Sequence, residues 1–222
     1  MLNEVNFENS DLANTSFNGS SINSANFKNA NAINSKFKSS SLVNNDFSNS
    51  NLSGSVILAS ALSNSNFTNA NLSNCNFSKN DLTNCIFEST IINDATLSMN
   101  DFSDSTFNKV VFNNVNIKIT DLRKVNFIKC TFNRVDFSKS DLRKVNFDGM
   151  EFSNVKFDKA VLSDCTFNNA TLRNVSFLSG FMLSNKYYRA LKEIKFEGAN
   201  MDKTTYNSLK GIGVNLNNIN II

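Results

Sequence analysis

Ala70-Asn71-Leu72-Ser73-Asn74-Cys75-Asn76-Phe77-Ser78-Lys79 is one five-residue unit written twice. In each half a small residue comes first, a polar residue second and a large apolar residue third, and two polar residues close the unit. Ser140-Asp141-Leu142 has the same form much further on. The large residue, called central here, recurs every five positions from Leu2, Phe7, Leu12, Phe17, Ile22 and Phe27 to Phe157, Leu162, Phe167, Leu172 and Phe177. That makes 36 consecutive central positions without a register slip, and Ala32 is the smallest occupant. Two residues before most of them stands a small or β-branched residue, such as Ala25, Ser35, Cys75, Val125 or Val155.

A period of five fits neither regular element. On an α-helix, residues five apart are about 140° out of phase and form no stripe. In one unbroken strand an odd spacing sends successive Phe to opposite faces. The chain must therefore turn once per unit, with the small and central side chains inward and two residues redirecting the backbone. A longer period gives the number of units per coil. Phe7, Phe27, Phe47, Phe67, Phe87, Phe107, Phe127, Phe147 and Phe167 lie 20 apart, and the series from Leu2 to Leu162 is nearly all aliphatic at the same spacing. Four units per coil, hence a square cross-section, follow from this stacking of like on like. Nine coils at about 4.8 Å each make a rod roughly 43 Å long.

These features resemble the pentapeptide repeat family and its A(D/N)LXX consensus. The resemblance implies an all-β solenoid, a right-handed quadrilateral β-helix of about nine four-sided coils, over residues 1–182. Residues 183–222 are expected to form a short helical C-terminal cap with residual repeat-like segments. In that tail Tyr187, Ala190, Leu191 and Ile194 follow helical spacing, with Ser184 as candidate N-cap. Triplets such as Ile194-Lys195-Phe196 and Ala199-Asn200-Met201 then return with shifted phase, and a second helix is expected from an Asp202 cap to Gly211. The helix either caps the rod or dimerises it, as similar segments do in the fluoroquinolone-resistance, Qnr-type branch of the family. An uncapped first coil is a second possible site of self-association.

Composition narrows the function. The chain has 222 residues, 21 Phe and no His, Trp or Pro. Without His there is no familiar catalytic triad and no His metal site. Cys75, Cys85, Cys130 and Cys165 all take the small inward position and none is paired as CxxC, so they read as core filler. Asp11, Asp81, Asp101, Asp121 and Asp141 recur between inward positions and read as turn formers rather than as acid–base pairs. No enzyme activity, metal or cofactor is expected. Neither a signal peptide nor an apolar run long enough to span a membrane is present, and with free cysteines this suggests the cytoplasm.

Charge is unevenly placed. Residues 1–116 carry a net −4 and residues 117–222 a net +7. Arg123-Lys124 and Arg143-Lys144 are 20 apart and so belong on one face of adjacent coils, while Lys139 and Lys159 pair on another edge. This basic group is the candidate interaction surface, for a protein partner first and for nucleic acid or an anionic surface last. Between the two, the family resemblance adds DNA gyrase and topoisomerase IV, against which the basic charge stands. Asn14, Asn34, Asn74, Asn114, Asn154 and Asn174 align on one edge and are expected to bond along the axis as stacked amides.

Overall fold

The central column is closed to solvent along almost the whole rod. From Ile22 to Phe177 no central side chain is more than 5 % exposed. The structure, a computed structural model, describes residues 2–178 and 185–222. Every strand pair is parallel, and through the repeats every register is 20: Phe87 lies beside Phe107 and Phe107 beside Phe127, Phe112 beside Phe132 and Phe132 beside Phe152. Single bridges such as Asn6 to Asn26 and Asp101 to Asp121 continue the pattern elsewhere. Like rings stack on like, with centroids 4.5 Å apart for Phe87 and Phe107 and 4.6 Å for Phe27 and Phe47. Neighbouring sides of the square meet edge to face, as Phe127 and Phe132 do, and opposite sides do so across the core, as Phe27 and Phe37 do. Both arrangements suit the ring quadrupole, and each buried Phe adds roughly 1.5–3 kcal/mol of transfer free energy.

The corners explain the asparagines. The second residue after each central position has φ between 50° and 70°, the left-handed region, all along residues 4–174. An L residue other than Gly, Asn or Asp is disfavoured there by about 1–2 kcal/mol. Asn is the side chain best suited to that backbone, and this reason for Asn14, Asn34 and Asn74 adds to the expected amide ladder. The ladder is present in part: Asn174 Nδ2 donates to Asn154 Oδ1 at 2.7 Å and Asn34 Nδ2 to Asn14 Oδ1 at 3.5 Å. Gly54 interrupts it, and the Asn34 side-chain oxygen fills the space that a Cβ at residue 54 would take. Where Asn or Asp stands between the inward positions it usually closes the turn by accepting the backbone N–H two residues on, as Asp11 does from Ala13 and Asp101 from Ser103.

The small inward residues form a hydrogen-bonded spine where they are polar. Asn80 Nδ2 donates to Ile57 C=O at 2.9 Å, while Asn80 Oδ1 accepts the N–H of Ser60 at 3.0 Å. Asn100 repeats this one coil on, bonding Phe77 C=O and the N–H of Asn80. Ser60, Thr120 and Ser140 donate in the same sense to Phe37, Leu97 and Ile117 C=O. Cysteine substitutes for serine: Cys85, Cys130 and Cys165 Sγ donate to Leu62, Phe107 and Leu142 C=O. Burial pushes the thiols of Cys75, Cys85 and Cys165 up to about 12 and that of Cys130 to about 11.

After Leu178 the register changes from 20 to 29, because Lys195 pairs with Thr166 and Asn200–Met201 with Thr171–Leu172. The extra length holds helix α1, Asn185–Glu193. The shifted triplets thus rejoin the existing columns: Phe196 stacks on Phe167 at 5.4 Å, and Asn220–Ile221 adds a last strand beside Asn200–Met201. Helix α2, Lys203–Gly211, is capped by Asp202, whose Oδ1 accepts the N–H of Thr205 and whose Oδ2 accepts that of Asn174. The expected Ser184 cap lies outside the described residues.

Three outcomes are expected. Asn80→Ala leaves the N–H of Ser60 and the C=O of Ile57 buried without partners and lowers stability by about 2–4 kcal/mol, read from the urea midpoint. A thiol reagent at pH 8 reaches none of the four cysteines until the chain unfolds. Their folded pKa values lie above the unfolded ones, so their stabilising effect is complete below pH 9 and is lost as pH rises from 9 towards 12. A urea midpoint that falls across that window checks the sign.

Candidate interaction surface

One side of the square carries the repeats Asp121-Leu122-Arg123-Lys124 and Asp141-Leu142-Arg143-Lys144 in adjacent coils, with Leu122 and Leu142 buried behind them. Arg123, Lys124, Arg143 and Lys144 come together there around a shallow depression completed by Ser103 and Asp104. The two guanidinium groups do not project freely. Arg123 Nη2 lies 2.6 Å from Asp121 Oδ2 with Nε 3.0 Å from Oδ1, and Arg143 grips Asp141 in the same way. Arg123 Nε also stands 3.8 Å from Asp141 Oδ2 in the next coil, and Lys124 Nζ 3.7 Å from Asp104 Oδ1. Partial burial pushes the Asp121 carboxyl up, but the hydrogen bonds and charge of Arg123, with Arg143 further off, outweigh it and hold the group below the usual carboxylate range. Arg123, Lys124 and Arg143 are therefore compensated by Asp121, Asp104 and Asp141 in a network of both signs, while Lys144 makes no ion pair among the described residues.

Lys139 and Lys159 are not part of that depression. They occupy the corner at the opposite edge of the same side, each at positive φ and exposed. Neither makes an ion pair among the described residues. The six candidate residues thus bracket one side of the rod, four at one edge and two at the other.

Helix α1 ends that side like a wall. Leu191 and Ile194 are buried, and the Tyr187 hydroxyl bonds Phe177 C=O at 2.6 Å and lies 3.2 Å from Phe157 C=O. Burial raises the Tyr187 phenol far above its ordinary range. The face expected to cap or dimerise is turned onto the rod, with Ala190 half-buried beside Val161 and Ser163. Sequence reading missed the exposed aliphatics: Met99, Ile119 and Val161 near this side, Ile86 and Ile128 on a neighbouring one, and Ile91 and Val111 on the opposite one. Their signal was present, because each stands where the repeat otherwise places Asn, Asp, Ser or Lys.

A four-sided parallel solenoid of five-residue repeats defines a class before any comparison. Family models agree with it: the pentapeptide repeat region model matches residues 80–151 and 100–177, and the model of eight-copy pentapeptide repeats matches residues 2–38, 23–57 and 60–98. The chain belongs to the pentapeptide repeat family. No curated protein sequence matches it. Among solved structures it is similar to a trypsin-treated form of QnrB1, a plasmid-mediated fluoroquinolone resistance protein, at 17% identity and a TM-score of 0.55, covering 93% of this chain and 91% of that one. Full-length QnrB1 gives 16% identity and 0.52 over 93% of each chain. HetL of the cyanobacterium Nostoc, a pentapeptide repeat protein involved in heterocyst differentiation regulation, gives 15% and 0.43 over 82% of this chain and 93% of that one. At these identities the likeness to QnrB1 is one of fold.

The compensated network makes its own prediction. Asp121→Asn with Asp141→Asn keeps the turn acceptors but releases both arginines, so the variant elutes later from heparin than Asp11→Asn with Asp46→Asn, which changes net charge equally. Equal elution of the two variants contradicts the network.

Proposed function

We propose that the chain is a non-catalytic scaffold or regulator that presents the side bracketed by Lys139, Lys159, Arg123, Lys124, Arg143 and Lys144 to a protein partner in the cytoplasm. The observation that carries this reading is the division between inside and outside. Inward positions hold apolar side chains or polar ones bonded to backbone, and only Ser35 Oγ and Ser55 Oγ lack a partner among the buried side-chain atoms described. Outward carboxylates such as Asp81 and Asp101 are occupied at their own turns. What remains for function is a stiff display of charged and apolar side chains at a repeat of about 4.8 Å. A surface of mixed sign favours a protein over duplex DNA, whose phosphates the Asp81, Asp101, Asp121 and Asp141 column would repel. The same mixture argues against duplex mimicry, which needs negative charge along the whole length.

Cross-linking of the tagged chain in cells, followed by nuclease treatment, tests the reading. One protein should be captured by the wild type, lost from Lys139→Glu/Arg143→Glu/Lys159→Glu and kept by Lys109→Glu/Lys129→Glu on a different corner. Nuclease-sensitive capture, or equal behaviour of the two variants, overturns it. Rescue of gyrase supercoiling from a fluoroquinolone by the purified chain would replace it with topoisomerase protection.

A further inference from the structure

All four corners share one left-handed backbone, yet they do not share one composition. Asn9, Asn29, Asn49 and Asn69 stand on one corner, Asn14, Asn34, Asn74 and Asn114 on the next, and Asn44, Asn64 and Asn84 on the third. The fourth has no asparagine from residue 19 to residue 159 and runs Ala59, Lys79, Met99, Ile119, Lys139, Lys159 at φ between 52° and 64°. Ile119 is the extreme case. A β-branched residue at φ 57° is strained, and its side chain is 54% exposed, so neither backbone preference nor core packing accounts for it. Met99, in the adjacent coil, is 43% exposed.

The residue following each corner position lies inside, and from Ala59 to Lys139 it forms the polar spine: Ser60, Asn80, Asn100, Thr120 and Ser140 tie the corner to the preceding coil, whereas Lys159 is followed by the buried Ala160. The ridge is therefore held rigidly from behind. Lys79, Lys139 and Lys159 on it make no ion pair among the described residues. The nearby carboxylates of Asp81, Asp101, Asp121 and Asp141 are turned onto the N–H groups of Thr83, Ser103, Arg123 and Arg143, towards the other edge of the side.

From this we propose that the Lys79–Met99–Ile119–Lys139–Lys159 ridge docks an amphipathic helix of another protein, laid along the rod axis, whose contact stripe has two apolar residues flanked by carboxylates. The proposal rests on the scaffold reading and gives its partner a chemistry. Coils repeat at about 4.8 Å and helical turns at about 5.4 Å, so a helix keeps step over four coils as a strand rising about 3.3 Å per residue does not. Carboxylates at i and i+11 stand about 16 Å apart, close to the roughly 14 Å between Lys79 and Lys139 three coils on. Charge complementarity selects an acidic helix. A flat anionic membrane would set phosphates against the Asp column as well as against the ridge, whereas a helix presents a stripe one residue wide.

The test is fluorescence anisotropy with a labelled 20-residue helical peptide carrying Glu, Leu, Leu and Glu at i, i+4, i+7 and i+11, beside a peptide with Lys in place of both Glu. The wild type should bind the first and not the second. Met99→Asn/Ile119→Asn should bind at least tenfold more weakly while its Tm rises by about 2–4 °C, since Asn suits the left-handed corner. Loss of binding with a raised Tm separates a lost contact from a lost fold. Lys79→Gln/Lys139→Gln should weaken binding and flatten its salt dependence. No binding of the acidic peptide, equal binding of both peptides, or an unaffected Met99→Asn/Ile119→Asn variant overturns the proposal. So does tighter binding of phosphatidylserine vesicles or duplex DNA through Met99 and Ile119. A cellular partner lost with Arg143→Glu but kept by Met99→Asn/Ile119→Asn would leave the scaffold reading standing and remove the ridge from it.

Discussion

A left-handed residue at every fifth position is the constraint on which this molecule depends. It bends the chain sharply enough to close a square in 20 residues, and so puts identical positions of successive coils in line. Once the columns are aligned, parallel backbone bonds, stacked phenylalanines and the buried spine follow from geometry. The corner carries a cost in backbone energy for most side chains. Carboxylate oxygens at Asp11, Asp101 and Asp121 offset it locally by accepting turn N–H groups. Asparagine at the corner itself reduces it further, which is why Asn is so abundant in a chain with only seven Gly.

Most of the fold was legible because inward positions are chemically simple. An unbroken series of Phe and Leu gives the five-residue unit, and its alternation gives the 20-residue coil, which the Phe87–Phe107–Phe127 register reproduces. The tail was harder. The triplets at Phe196 and Met201 were visible as repeats, but nothing local states that they re-enter the columns of Phe167 and Leu172 after an inserted helix. That return is decided by stacking, a contact between residues 29 apart.

The surface was less legible, for an electrostatic reason. Arg123 and Arg143 read as projecting cations because sequence gives their spacing and not their conformation, and each folds back onto the Asp two residues before it. Lys139 and Lys159 were grouped with them although a side of the square separates the two sets. The exposed Met99 and Ile119 went unnoticed because apolar residues draw notice only at inward positions. Their significance appears once corner φ is known and asparagine is seen to be the residue that belongs there.

The 29-residue register step at helix α1 also bears on how such a chain can change over time. Parallel stacking asks only that the backbone leave a column and rejoin it one coil later, and it sets no length for the detour. The coil holding Asn185–Glu193 returns to the Phe167 column as faithfully as an uninterrupted one. Growth by insertion at a corner is thus decoupled from growth by added coils. One alters what hangs on the rod and the other how long it is, so a lineage can revise either dimension while leaving the other intact.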